Sequence, residues 1–127
     1  MVSVIALFGE AEKGNFYTPH LCRTLPQLAE VLGEPPAESE GLFLAVQALL
    51  YERSVLYFRV EEEGLSVSDY LRGLSYLLDR EKIQELQALC LPGVGNSAIL
   101  EATQPVCALH RSVVLMSQRD LYDYLTA

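Results

Sequence analysis

The segment Leu86-Gln87-Ala88-Leu89-Cys90-Leu91-Pro92-Gly93-Val94-Gly95-Asn96-Ser97-Ala98 is an apolar strand that breaks at Pro-Gly into a tight turn and opens a helix. A strand handing over to a helix in this way is the unit of a mostly parallel sheet, and the ends of such strands are where α/β proteins usually hold ligands. The turn contains Gly93-x-Gly95-x-x-Ala98, which fits the loose dinucleotide-binding spacing, with glycines for the bend and a small residue where helix meets strand. That fingerprint also asks for an acid about 20 residues on, at the end of the next strand, to hold a ribose hydroxyl. The next strand is Ser112-Val113-Val114-Leu115-Met116-Ser117, and the nearest acid beyond it, Asp120, reads as a cap in the first turn of a final helix. Glycine chosen for backbone freedom explains the turn without a nucleotide.

The rest of the chain repeats the alternation of strand and helix. Residues 2–8 form a continuous apolar run with β-branched members, ended by Gly9, as a central strand buried on both faces would. The loop Gly9-Glu10-Ala11-Glu12-Lys13-Gly14-Asn15 has the two-glycine spacing of a phosphate loop, but Asn15 stands at the lysine position and Phe16 at the hydroxyl position. Residues 16–22 are expected to carry the chain across the surface. Thr24-Leu25-Pro26-Gln27 has the form of a capping box, and Leu25, Leu28, Val31 and Leu32 line one side of the helix that it opens, up to Gly33. A second helix over residues 41–52, with Leu42, Val46, Leu49 and Leu50 at helical spacing, returns the chain to a strand at residues 55–60.

Ser66 or Ser68 caps the next helix, whose inner side is Val67, Tyr70, Leu71, Leu74, Leu77 and Leu78 and whose outer face carries Asp69 and Arg72. The helix after the Pro92-Gly93 turn is capped by Asn96, and Pro105 should kink or restart it, leaving residues 106–110 as a separate turn. A short last helix places Leu121, Tyr124 and Leu125 inward. Strands alternating with helices predict an α/β sandwich of about four mostly parallel central strands with helices on both faces. At 127 residues, the whole of 1–127 is expected to be a single domain with one core.

Charge and composition narrow the partners. Nine basic against 17 acidic residues give a net charge of −8, which repels a phosphate backbone, so nucleic acid is not expected. No apolar run reaches the roughly 20 residues of a membrane span, and the first residues lack the basic flank of a secretory signal, so a cytoplasmic protein is expected. The densest acidic run, Glu61-Glu62-Glu63, reads as a solvated turn, and Glu10 and Glu12 as a solvated loop. Three cysteines cannot pair off completely; Cys90 lies in an apolar strand, where a reduced thiol behaves as a small core residue.

Motifs that carry chemistry fail one by one. His20-x-Cys22 and Cys107-x-x-His110 are two ligand pairs that would make a tetrahedral zinc site only if the fold joined them, and their spacing is that of no zinc module. There is no Gly-x-Ser-x-Gly elbow and no Cys-x-x-Cys pair. A phosphotransfer domain would need acids just after the first strand and a central acceptor aspartate, whereas Phe8-Gly9, Arg59-Val60 and Leu91-Pro92 stand at the strand ends. No catalytic, cofactor-binding or metal-ligating residue is therefore assigned.

Several segments, taken in order, carry a family likeness: Val4-Ile5-Ala6-Leu7-Phe8-Gly9-Glu10-Ala11-Glu12-Lys13-Gly14, the stretch from Leu25 to Gly33, Ala45-Val46 with Leu49, Val55-Leu56-Tyr57-Phe58-Arg59-Val60, Leu74 to Leu78, Leu89-Cys90-Leu91-Pro92-Gly93 and Val113-Val114-Leu115. Over roughly residues 3 to 117 the chain resembles the core domain of contractile tail sheath proteins, the family of phage tails, pyocins and related injection devices. It departs from that pattern at Tyr51-Glu52-Arg53-Ser54, where the family shows Asn-Gly-Gly, and at Ser117-Gln118, where it shows an aspartate. The resemblance implies N- and C-terminal arms that add strands to neighbouring subunits. These arms are expected to be lacking, with the first strand beginning at residue 2 and the chain ending just after its last helix. The expectation is a non-enzymatic structural or interaction protein, a sheath-like subunit or accessory component with protein partners or self-association. The other reading is a small-molecule or nucleotide-binding domain using Gly93 to Ser97.

Overall fold

Side chains alternate across a strand, and along β1 (Val4–Gly9) both sets are apolar, so both sides of the sheet must be covered. The computed structural model describes residues 4–126, so residues 2 and 3 of the expected first strand lie outside the described residues. After β1 come β2 (His20–Cys22), α1 (Leu25–Leu32), α2 (Gly41–Leu50) and β3 (Ser54–Arg59). The second half holds α3 (Val67–Leu77), β4 (Ala88–Cys90), α4 (Ser97–His110), β5 (Val113–Leu115) and α5 (Gln118–Thr126). The strands form one sheet in the order β2-β3-β1-β4-β5, parallel throughout except for the antiparallel edge strand β2.

The architecture is the expected α/β sandwich with helices on both faces, and β1 is central. It has one strand more than expected. Residues 20–22 do not merely cross the surface; Leu21 sits opposite Leu56 and Cys22 opposite Val55, closing one edge of the sheet. Three residues are too short to show a period, which is why the pairing is hidden in the sequence.

Two cores follow from the alternation. Val4, Ala6 and Phe8 of β1, with Leu56, Phe58 and Leu89, pack against Tyr70, Leu74 and Leu77 of α3 and Ile99, Leu100 and Val106 of α4. Phe8 stacks on Phe58 at 4.5 Å between ring centroids and on Tyr70 at 5.4 Å. On the other face Leu7, Cys22, Val55 and Tyr57 pack against Leu28 and Leu32 of α1 and Leu42 and Ala45 of α2. Each such leucine contributes about 1.5–3 kcal/mol by leaving water.

Local signals set most helix ends. Thr24 Oγ1 accepts the Gln27 N–H at 3.2 Å, and Gln27 Oε1 takes the Arg23 N–H at 2.8 Å, a capping box shifted by one residue. Asn96 Oδ1 takes the N–H groups of Ala98 and Ile99. Ser66 stands at the N-cap of α3 but turns its hydroxyl back to the backbone of Glu62 instead of capping.

Several helical expectations need correction. Leu25 of α1 and Leu71 of α3, with Leu78 just past its end, are exposed, and the inner side of α3 is Tyr70, Leu74 and Leu77. The helix α4 runs unbroken through Pro105. Proline removes the bond to the carbonyl four residues earlier, that of Glu101, and both residues lie on the exposed side, where a carbonyl without its helical donor costs least. In α5, Leu121 and Leu125 face solvent, and the buried residue is Asp120. A carboxylate displaces the apolar residues there because it has a partner, described next.

Candidate functional site

In a sheet of this order the crevice between β1 and β4 is where the connections depart to opposite faces, and ligands settle at the carboxyl ends of the strands there. Two hollows meet at this end. One, of about 500 Å³, is lined by Glu10, Glu38, Glu40, Glu63, Asp120 and Asp123, with Arg119 as its cation. The other, of about 600 Å³, is lined by Phe43 and Leu44 of α2, Cys90 and Pro92, and Leu115 and Met116. They share Glu40, Ser117 and Asp120, so the acidic hollow and the apolar groove are continuous.

The acids at the centre of the hollow are held by backbone. Glu63 turns in from the loop after β3, and its carboxylate accepts the N–H groups of Glu10 at 3.0 Å, Glu40 at 2.7 Å and Gly41 at 3.1 Å. It thus caps α2 from another part of the chain, where the positive end of the helix favours an anion. Burial nevertheless pushes its carboxyl above the usual range, and the three N–H bonds pull it back only in part. Glu10 answers with a bond of 2.9 Å from the Glu63 N–H to its Oε2. Gly9 and Gly41 let the two segments meet: a Cβ on Gly9 would lie 2.8 Å from the Gly41 Cα.

These bonds revise the reading of two acidic stretches. Glu61-Glu62-Glu63 is a turn whose last member is drawn inward, and the loop of Glu10 and Glu12 is fastened rather than merely solvated. Glu12 Oε1 takes the Glu34 N–H at 3.0 Å. Arg59 donates to the carbonyls of Gly14 at 2.7 Å and Glu12 at 3.3 Å, with its guanidinium 4.1 Å from the centroid of the Phe16 ring. The cation that a phosphate loop would aim at its ligand is here spent on loop carbonyls.

The Pro92-Gly93 turn is occupied in the same way. Asp120, 6% exposed, accepts the Gly93 N–H at 3.0 Å, so the acid is more than a first-turn cap: it fastens α5 to the turn. Gly93 has φ +81, a conformation that L side chains rarely adopt. A phosphate at this turn would have to displace a carboxylate from the N–H and sit among further acids.

The two ligand pairs of the zinc alternative stay apart. His20 is on the β2 edge, its Nε2 accepting the Asn15 N–H at 3.0 Å, while His110 ends α4 with Nε2 donating to the Leu77 carbonyl at 2.6 Å. Among the described residues no group of three or more His, Cys, Asp or Glu side chains is arranged to hold a metal ion. No described helix is long and apolar enough to cross a membrane.

The groove exists because, among the described residues, part of one sheet face has no helix over it. Val114 packs toward α3 and α4, so Val113 and Leu115 point to the α1–α2 side, where they remain 60% and 48% exposed. Beside them Phe43 of α2 is 58% exposed. On the groove floor burial pushes the Cys90 thiol up to about 11, so it stays protonated at neutral pH. The sequence signals singled out the turn but not this face, because Val113 and Leu115 look like any core strand. No protein-family model, curated protein or solved structure matches the chain.

Proposed function

We propose that the protein is a non-enzymatic structural or interaction domain, a sheath-like subunit or an accessory component of such an assembly, which works by being packed against. The observation that supports this reading is the bare apolar face of β5, Val113 and Leu115, beside Phe43 and the half-buried Cys90. Parallel sheets are normally covered on both faces, and an uncovered apolar patch on an otherwise well-packed domain is the mark of a contact surface. The central acids also favour it, since Glu10, Glu63 and Asp120 are engaged with backbone N–H groups. The likeness to tail sheath cores is a second, independent support.

Light scattering of the purified chain over a concentration series tests the reading, alongside the same series with Leu115→Ser. Association that weakens in the variant, of the chain with itself or with a partner from the native source, is the expected result. A strict monomer, with no partner recovered from the native source, overturns it. For the nucleotide reading of Gly93 to Ser97, a thermal-shift screen with nucleotides is expected to be flat. A ligand at a hundred times its Kd would add about 2.7 kcal/mol of stability.

A further inference from the structure

We infer that the groove and the acidic hollow together seat an amphipathic helix of a partner protein, one with an apolar stripe and Lys or Arg at one end. The inference rests on the interaction reading above and names the chemistry of the partner.

Shape and composition select the helix. The open floor over Cys90 and Leu115 lies alongside α2, where a sheet of this kind would otherwise carry its next helix. Charge selects the cation. The groove opens at the carboxyl end of the strands onto Glu38, Glu40 and Asp123, whose carboxylates take no hydrogen bond among the described residues, with only Arg119 lining the hollow as a counter-charge. A partner that laid an apolar stripe on Phe43 and Leu115 would bring its end beside these carboxylates, and Lys or Arg there meets opposite charge. A second copy fits less well. The protein carries a net charge of −8, and its own amphipathic helix α5 offers one base, Arg119, against Asp120 and Asp123.

The test uses the full chain and three labelled helical peptides of about 14 residues, about four turns. All share one leucine stripe on a glutamine background, and they end in two Lys, two Gln or two Glu. By fluorescence anisotropy at about 0.05 M salt, the Lys peptide is expected to bind at least about tenfold tighter than the Glu peptide, and the gap to shrink at about 0.5 M. Phe43→Ser with Leu115→Ser, which leaves the charge unchanged, should weaken the Lys peptide about tenfold or more without altering the thermal melt. Glu38→Gln with Glu40→Gln should close most of the gap between the Lys and Glu peptides.

Equal binding of the three peptides overturns the assignment of a cationic partner. Undiminished binding of the Lys peptide to the double serine variant overturns the groove as its seat. If no peptide binds, the inference fails, and light scattering then separates the two readings. Self-association lost in the double serine variant leaves the interaction reading standing with a second copy as occupant, whereas a strict monomer with no partner recovered from the native source removes both.

Discussion

One face of the sheet has a covered half and a bare half, made of the same kinds of residue. Leu7, Val55 and Tyr57 lie under α1 and α2 and are almost wholly buried, while Val113 and Leu115 of β5, equally apolar, stand half open to solvent. Residue type therefore does not decide burial here. The path of the chain does: α1 and α2, between β1 and β3, are the helices of that face, whereas α3 and α4 both lie on the other. The strand β5 is left with helical cover on one side only, while β4 keeps Ala88 buried and Cys90 packed against the α1–α2 core.

The largest expected effect breaks the comparison if it fails. Leu7→Ala or Leu32→Ala, in the covered half, should lower stability by about 2–5 kcal/mol, since each opens a cavity in a packed core. Leu115→Ala, in the bare half, should change it by less than about 0.5 kcal/mol. Urea unfolding curves with a common slope measure both. A loss at Leu115 as large as that at Leu7 would mean that β5 is covered in solution.

Next in size is the rim between the halves, where Glu63 pins α2. Glu63→Ala leaves the N–H groups of Glu10, Glu40 and Gly41 without their acceptor and should destabilise by about 2–4 kcal/mol, part of it restored by water at the exposed Glu40. Glu63→Gln keeps one carbonyl acceptor and should lose less. The pH dependence has a definite sign. Because burial raises the folded carboxyl above its unfolded value, the associated stability is fully present below the ordinary glutamate range and is lost as pH rises through the raised value. The advantage of the native chain over Glu63→Gln should therefore shrink as pH rises from the ordinary glutamate range through the raised value. An advantage that grows over that range would show that the three N–H bonds outweigh burial.

The sequence carries the fold because its periods are strong: the run around Leu7 and Phe8 and the helical spacing of Tyr70, Leu74 and Leu77 each point to one kind of element. It does not carry the site. A period of two states that Val113 and Leu115 share a face but not whether a helix lies over that face, since cover depends on crossovers far away in the chain. Glu63 is hidden for a related reason. Its partners are backbone N–H groups of Glu10, Glu40 and Gly41, and any residue type supplies those. Asp120 was legible in part, as an acid at the start of a helix, but its bond to Gly93 joins positions 27 residues apart. The resemblance to tail sheath cores rests on short apolar words, which describe what packs inside and say little of what lies on the surface.

The smallest effect separates the halves by chemistry instead of stability. Cys22 lies wholly buried beneath α1, and Cys90 lies half-buried on the floor of the bare groove. Both thiols are pushed up by burial, Cys90 to about 11. At pH 8 about one Cys90 in a thousand is then a thiolate, against about a quarter for a free thiol, so alkylation should run about two hundredfold below the unfolded rate. The two slow sites differ in what releases them. Cys22 is reached only when the covered half opens, so Leu32→Ala should speed its labelling, while Cys90 should respond little. Cys90 should instead gain about tenfold for each pH unit up to its own value and slow when the groove is filled by the Lys-ended peptide. Mass mapping of each cysteine over an alkylation time course follows the sites separately. Equal acceleration of both thiols by Leu32→Ala would mean that the two halves open as one unit, and that the bare floor is not an independently accessible surface.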